Sequence, residues 1–150
     1  MEHDFYKFPE LTNSQMAELY FESPHQQITQ DFFAKVVKVT DGDTLRVNCE
    51  FRDFDFPIRF INIASPEKKE EGGLESKAWL EGKVLGKEIY VKINPNNRVD
   101  RWGRLLGNII QNGMDVGEES IVMGQSVPFA QVHADRITDN IRLPKEFEAW

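Results

Sequence analysis

The sequence predicts a mainly β protein with helices, of the α+β class: a five-stranded closed barrel of the OB type carrying two or three helices. Three observations predict it. Five short segments alternate apolar and polar residues, a helical segment falls between the third and the fourth, and the turn dipeptides Asp41-Gly42 and Asn112-Gly113 punctuate the chain. The 150 residues show no internal repeat, and their composition breaks once, near residue 31. That break predicts three parts: an acidic N-terminal arm with a short helix over 1–31, the barrel over 32–130, and a C-terminal docking tail over 131–150.

Each element has its own signal. In the arm, Thr12, Asn13 or Ser14 caps a short helix through about Phe21 with Met16, Leu19 and Tyr20 on one face, and Pro24 lies beyond its end. Phe33 to Thr40 and Thr44 to Glu50 alternate about Asp41-Gly42, a hairpin pattern. A third strand is expected from Pro57 to Ile63. After Gly72-Gly73, Leu74, Ala78 and Leu85, with neighbouring Trp79, form a helical stripe that ends at Gly86. Glu88 to Ile93 and Arg104 to Ile110 read as the last two strands, joined by the polar loop NPNNRVDRWG, and a shorter helix spans about Val116 to Met123 before Gly124.

Charge narrows the function classes. The net charge of −7 opposes polyanion binding, yet the acidic excess is concentrated in the arm: Glu2, Asp4, Glu10, Glu18, Glu22 and Asp31 face Lys7 alone. Residues 83–104 instead hold Lys83, Lys87, Lys92, Arg98, Arg101 and Arg104 against Glu88 and Asp100, a basic strip. There is no apolar run of about eighteen residues to span a bilayer, and no membrane partner is expected. MEHDFYKFPE is acidic where a secretory signal needs a basic start, so the expected location is cytoplasmic or within a larger assembly such as a virus particle. Cys49, the single cysteine, reads as a small buried hydrophobe. His3, His25 and His133 lack metal-like spacing and carry no assigned role, and LPKEFEAW, with Phe147 and Trp150, reads as the docking tail.

Four ordered motifs carry chemistry: DGDT at Asp41 to Thr44, RFINIASPE at Arg59 to Glu67, DRWGR at Asp100 to Arg104, and the helix VGEESIVMG. Over roughly Phe33 to Phe129 they resemble the staphylococcal nuclease (thermonuclease) family. Phosphodiester hydrolysis needs an activated water, stabilisation of charge on the non-bridging oxygens and help for the leaving oxygen. The resemblance implies Asp43 and the Ser65 backbone carbonyl as metal ligands, with Asp41 beside them, and Glu67 as the group that orients or deprotonates water. It also implies Arg59 and Arg104 as a phosphate clamp, for which guanidinium geometry is suited. Around this set, Arg98, Arg101, Lys92 and Trp102 are candidate nucleic-acid contacts, Trp102 by stacking on a base. The implied cofactor is calcium, ahead of magnesium or manganese.

One position departs from the pattern. The family's second metal carboxylate falls on Ala64, whose methyl group cannot coordinate a cation. Asp41, or Glu70 and Glu71 from the following loop, are the candidates to replace it. Two readings follow. In the first, the chain is a metal-dependent nuclease that hydrolyses DNA or RNA with little sequence specificity. In the second it is a catalytically impaired module of the same fold that binds nucleic acid or protein, the arm and tail serving a protein partner.

Overall fold

The computed structural model describes residues 3–129. One α-helix lies in the arm, and eight strands and two α-helices follow it: β1 Phe32–Asp41, β2 Thr44–Cys49, β3 Arg52–Phe60, β4 Ile63–Ala64, β5 Glu88–Lys92, β6 Leu105–Gln111, β7 Met114–Asp115 and β8 Val127–Pro128. The helices are α1 Asn13–Leu19, α2 Gly73–Val84 and α3 Val116–Val122. β3, β2, β1, β5 and β6 are hydrogen-bonded in that order, and parallel pairing of Ile58 with Leu105 and Arg59 with Leu106 joins β3 to β6, closing the expected five-stranded barrel. Val36, Leu45, Val47, Phe56, Ile58, Ile89, Val91, Leu105 and Ile109 fill its interior. Leu80 and Val84 of α2 and Val116 of α3 join the same core.

The third strand starts earlier than expected. Arg52 to Phe60 forms one continuous strand because Arg52, Phe56, Ile58 and Phe60 face inward while Asp53 and Asp55 stay exposed. Pro57 lacks an N–H but lies just before the parallel pairing to β6 begins, so no ladder bond is lost on that side. The strand stops at Asn62, whose backbone is left-handed (φ 61°). Ile63 and Ala64 then form the separate β4, paired antiparallel with β8.

The helical stripe on α2 is also displaced from expectation. Its buried face is Gly73, Ser76, Leu80 and Val84, whereas Leu74 is 66% exposed and Leu85 is exposed as well. Small residues at 73 and 76 let the helix start lie close to the loops beneath it, so size, more than hydrophobicity, selects the inner face there. α1 is shorter than expected: Thr12 caps it in a reciprocal box with Gln15, and a single 3₁₀ turn, Tyr20–Glu22, follows. Cys49 is a free, half-buried thiol packed at the edge of the core, and burial pushes its pKa up. Among the described residues no helix is long and apolar enough to cross a membrane. The expected tail at 131–150 lies outside the described residues.

Candidate functional site

The site is built from the turn between β1 and β2. Asp41 pairs with Thr44, leaving Gly42 and Asp43 as a two-residue loop. A Cβ on Gly42 would lie 2.6 Å from Ser76 Cβ and 2.9 Å from Ser65 Cβ. The turn therefore presses on α2 and on the loop after β4, and only a glycine fits. This approach brings the Asp43 side chain, 11% exposed, against Ser65 and Arg59. Its Oδ2 accepts the Ser65 backbone N–H at 3.0 Å and pairs with Arg59 Nη2 at 3.4 Å; its Oδ1 accepts the Thr44 hydroxyl at 2.9 Å. The Asp43 carbonyl accepts the Phe60 N–H at 2.9 Å, tying the turn to β3.

Arg59 belongs to the outer face of β3, alternating with the core residues Ile58 and Phe60. Its Nη1 donates to the Phe60 carbonyl at 3.1 Å, and its guanidinium lies 5.2 Å from the centre of the Phe129 ring. Phe129 reaches it because its N–H donates to the Asn62 carbonyl at 2.7 Å, just beyond the β4–β8 pair. Neither contact was legible in the sequence, since β8 is two residues long and pairs with a strand more than sixty residues earlier.

Arg104 immediately precedes β6. Arg59 is opposite Leu106, and Arg104 shares the face of Leu106, so both arginines occupy the same outer surface of neighbouring strands. Arg104 is held separately: its Nε donates to Asp100 Oδ2 at 2.8 Å, while Asp100 Oδ1 accepts the N–H groups of Trp102 and Arg104, each at 2.9 Å. Asp100 thus organises the whole turn, a role signalled by an acidic residue ahead of Trp-Gly-Arg. Gly103 provides the left-handed backbone (φ 82°) that closes it. Trp102 is 57% exposed, with the guanidiniums of Arg101 and Arg104 at 4.4 and 5.4 Å from its ring.

Glu67 is exposed on the loop between β4 and α2. Its N–H donates to Glu70 Oε1 at 2.8 Å and its carbonyl accepts the Glu70 N–H at 2.9 Å. Gly73 seals this loop, since a Cβ there would be 1.8 Å from the Glu67 carbonyl oxygen. Burial, and then the charges of Asp43 and Glu67, push the Asp41 carboxyl above the usual aspartate range, with Lys68 opposing them. Asp41, Asp43, Glu67 and Lys68 are therefore electrostatic neighbours. Glu70 is committed to the Glu67 backbone.

A resident divalent cation would need a converging set of oxygen ligands. Ala64 is buried in the β4–β8 pair with no ligating side-chain atom, and Asp43 already accepts three donors. Among the described residues no three His, Cys, Asp or Glu side chains form a metal-holding group. The arrangement does not fit a family-type calcium centre.

The basic strip divides. Arg101 and Trp102 lie on the exposed turn, and Lys92 is exposed at the end of β5 opposite Asn108. Arg98 is a correction: it is 3% exposed, and its guanidinium donates to the Ile28 and Leu11 carbonyls and to Glu10. A guanidinium spent on the interior cannot meet a polyanion.

The family model described as "Staphylococcal nuclease homologue" matches residues 57–149. The chain belongs to the staphylococcal nuclease family. Two relatives, each called "Uncharacterized endonuclease", come from Escherichia coli O157:H7 and from Escherichia coli; both are 32% identical over 108 residues, 71% of this chain and 67% of theirs. "Protein ParB" of Escherichia coli is 31% identical over 78 residues, 52% of this chain and 41% of its own. Membership makes the barrel an OB-type α+β fold of nuclease type and includes the residues after Phe129 within the family's domain.

Proposed function

We propose that this staphylococcal nuclease family domain binds the phosphodiester backbone of DNA or RNA with little sequence preference, and that Ala64 leaves its hydrolytic power much reduced. Contacts to phosphate position a strand without reading its sequence. Arg59 and Arg104, on one face of adjacent strands and braced by Asp43 and Asp100, supply a phosphate clamp. Trp102, flanked by two guanidiniums, supplies a stacking surface for a base. Glu67, exposed at the edge of the group, is the residue to orient and deprotonate an attacking water. The carrying observation is the pairing of an intact Asp43–Arg59–Ser65 arrangement with a methyl group at position 64.

Asp41 favours a second reading. Its carboxyl feels the charges of Asp43 and Glu67, so on this reading it stands in for the missing carboxylate in a cation centre unlike the family's, and the nuclease is fully active. Purified protein, Ala64→Asp and Glu67→Gln incubated with single-stranded DNA and RNA in calcium, magnesium or manganese separate the two. On the first reading the parent binds but cleaves slowly, and Ala64→Asp gains metal-dependent cleavage of about 10²-fold or more, the scale of one charge-stabilising group. Rapid cleavage by the parent that Glu67→Gln abolishes establishes the second. Absence of both binding and cleavage in parent and Ala64→Asp alike refutes the nucleic-acid reading.

A further inference from the structure

The arm lies ahead of residues 57–149, yet it grips the loop that carries Trp102 and Arg104 at three points. At the first, Asn13 Nδ2 donates to the Pro95 carbonyl at 2.9 Å. At the second, Arg98 is enclosed by the arm: Nη1 donates to the Leu11 carbonyl at 3.0 Å and to Asn13 Oδ1 at 3.1 Å, Nε to the Ile28 carbonyl at 2.8 Å, and Nη2 pairs with Glu10 Oε2 at 3.3 Å. At the third, Phe8 covers Gly103 so closely that a Cβ on the glycine would lie 2.8 Å from Phe8 Cδ1.

The arm is itself braced for this task. Asp4 accepts the N–H groups of Tyr6 and Lys7 and its carbonyl accepts the Phe8 N–H, which fixes the turn that presents Phe8. Residues 9–11 are tied back to Gln27 and Ile28 through the Gln27 amide and the Glu10 carboxylate. Arg98 then passes the constraint on, because its carbonyl accepts the Leu106 N–H at 2.8 Å at the start of β6.

We infer that the N-terminal arm is a clamp on the Asp100–Arg104 turn, with Phe8 as the positioning residue that holds Trp102 and Arg104 ready for a single-stranded nucleic acid. The purpose of the clamp rests on the function proposed above; its existence is tested without it. A short exposed turn with one aromatic and two cationic side chains would otherwise lose conformational freedom on binding, and ordering it beforehand removes that cost.

The test uses the full chain with Trp79→Phe and Trp150→Phe, so that Trp102 is the only tryptophan. Phe8→Ala is compared with the parent and with Phe8→Leu, which keeps an apolar cover on Gly103. In Phe8→Ala the fast component of the Trp102 anisotropy decay is expected to grow about twofold, and amide exchange over 100–104 to quicken about fivefold while β6 is unchanged. Phe8→Leu stays near the parent. Affinity for a non-hydrolysable single-stranded oligonucleotide falls about fivefold or more in Phe8→Ala and recovers in Phe8→Leu. Asn13→Ala, an exposed change at the other end of the grip, is expected to quicken exchange from 96 through 104 and serves if Phe8→Ala does not fold. Unchanged anisotropy and exchange in Phe8→Ala, or unchanged exchange in Asn13→Ala if that variant must serve, overturn the clamp. If no form binds the oligonucleotide, the nucleic-acid reading falls and anisotropy and exchange still decide the clamp.

Discussion

Asp43 gathers the Ser65 backbone N–H and the Thr44 and Arg59 side chains on one carboxylate, and the residue before it in the turn makes that possible. Gly42→Ala places a methyl group within 2.6 Å of Ser76, so the turn must back away and carry Asp43 off Ser65 and Arg59. Overpacking of this kind costs about 1–3 kcal/mol, and denaturant unfolding of the variant should show it together with weaker oligonucleotide binding. Asp41 makes a pH-dependent counterpart. Its carboxyl titrates above the usual range in the folded protein, so the folded state binds the proton more tightly than the unfolded chain. Its contribution is favourable at low pH and is lost as pH rises from the ordinary aspartate value through the raised one. Asp41→Asn should therefore flatten that part of the stability profile and stabilise the protein at neutral pH, as measured by thermal unfolding across a pH series. A pH profile that does not change would show that burial and the charges of Asp43 and Glu67 together do not raise the Asp41 carboxyl.

Among the elements, α2 shows most clearly what periodicity reveals and what it hides. A helix after the third strand was legible from the glycine boundaries and apolar spacing, but Leu74 and Leu85 face solvent while Gly73 and Ser76 face inward. Ser76 Oγ donates to the Gln125 carbonyl, linking α2 to the segment that leads into β8. Leu80 is the anchor, fully buried in the barrel's end. Leu80→Ala is expected to cost about 2–5 kcal/mol, while Leu74→Ala changes little; chemical denaturation of the pair checks the assignment of the inner face. The hairpin of β1 and β2 was legible for a simpler reason, since alternation and the Asp-Gly turn specify a hairpin locally. β4 and β8 were not, because two-residue strands have no period and depend wholly on their distant partner.

Across the whole molecule, the arm is as much a part of the fold as the barrel. Glu10 is buried between Arg52 of β3 and Arg98 of the loop before β6, and its Oε2 also accepts the Ile28 N–H. Arg52 is in turn flanked by Phe54 and Phe56. Removing one partner from such a group leaves charges buried without compensation, at about 3–5 kcal/mol. Glu10→Ala should accordingly lower the thermal midpoint far more than Glu18→Ala, an exposed acid of the same arm. Equal shifts for the two would mean that the arm contributes nothing to the fold through Glu10. The overall negative charge also reads differently at this scale, since Glu10 is paired inside with Arg52 and Arg98 while Arg101 stays exposed on its turn.

The sequence by itself determined the order of the five barrel strands and of the helices, the DGDT turn, the family pattern and the substitution at Ala64, because each is written in local spacing or in residue identity. The tertiary structure alone decided that Arg98 is interior, that Phe129 lies over Arg59, that Phe8 covers Gly103, and that Glu10 serves two arginines at once. Those contacts join residues far apart in the chain, and no local period records them: a charge or an aromatic ring is the same letter whether it meets water or the other end of the protein.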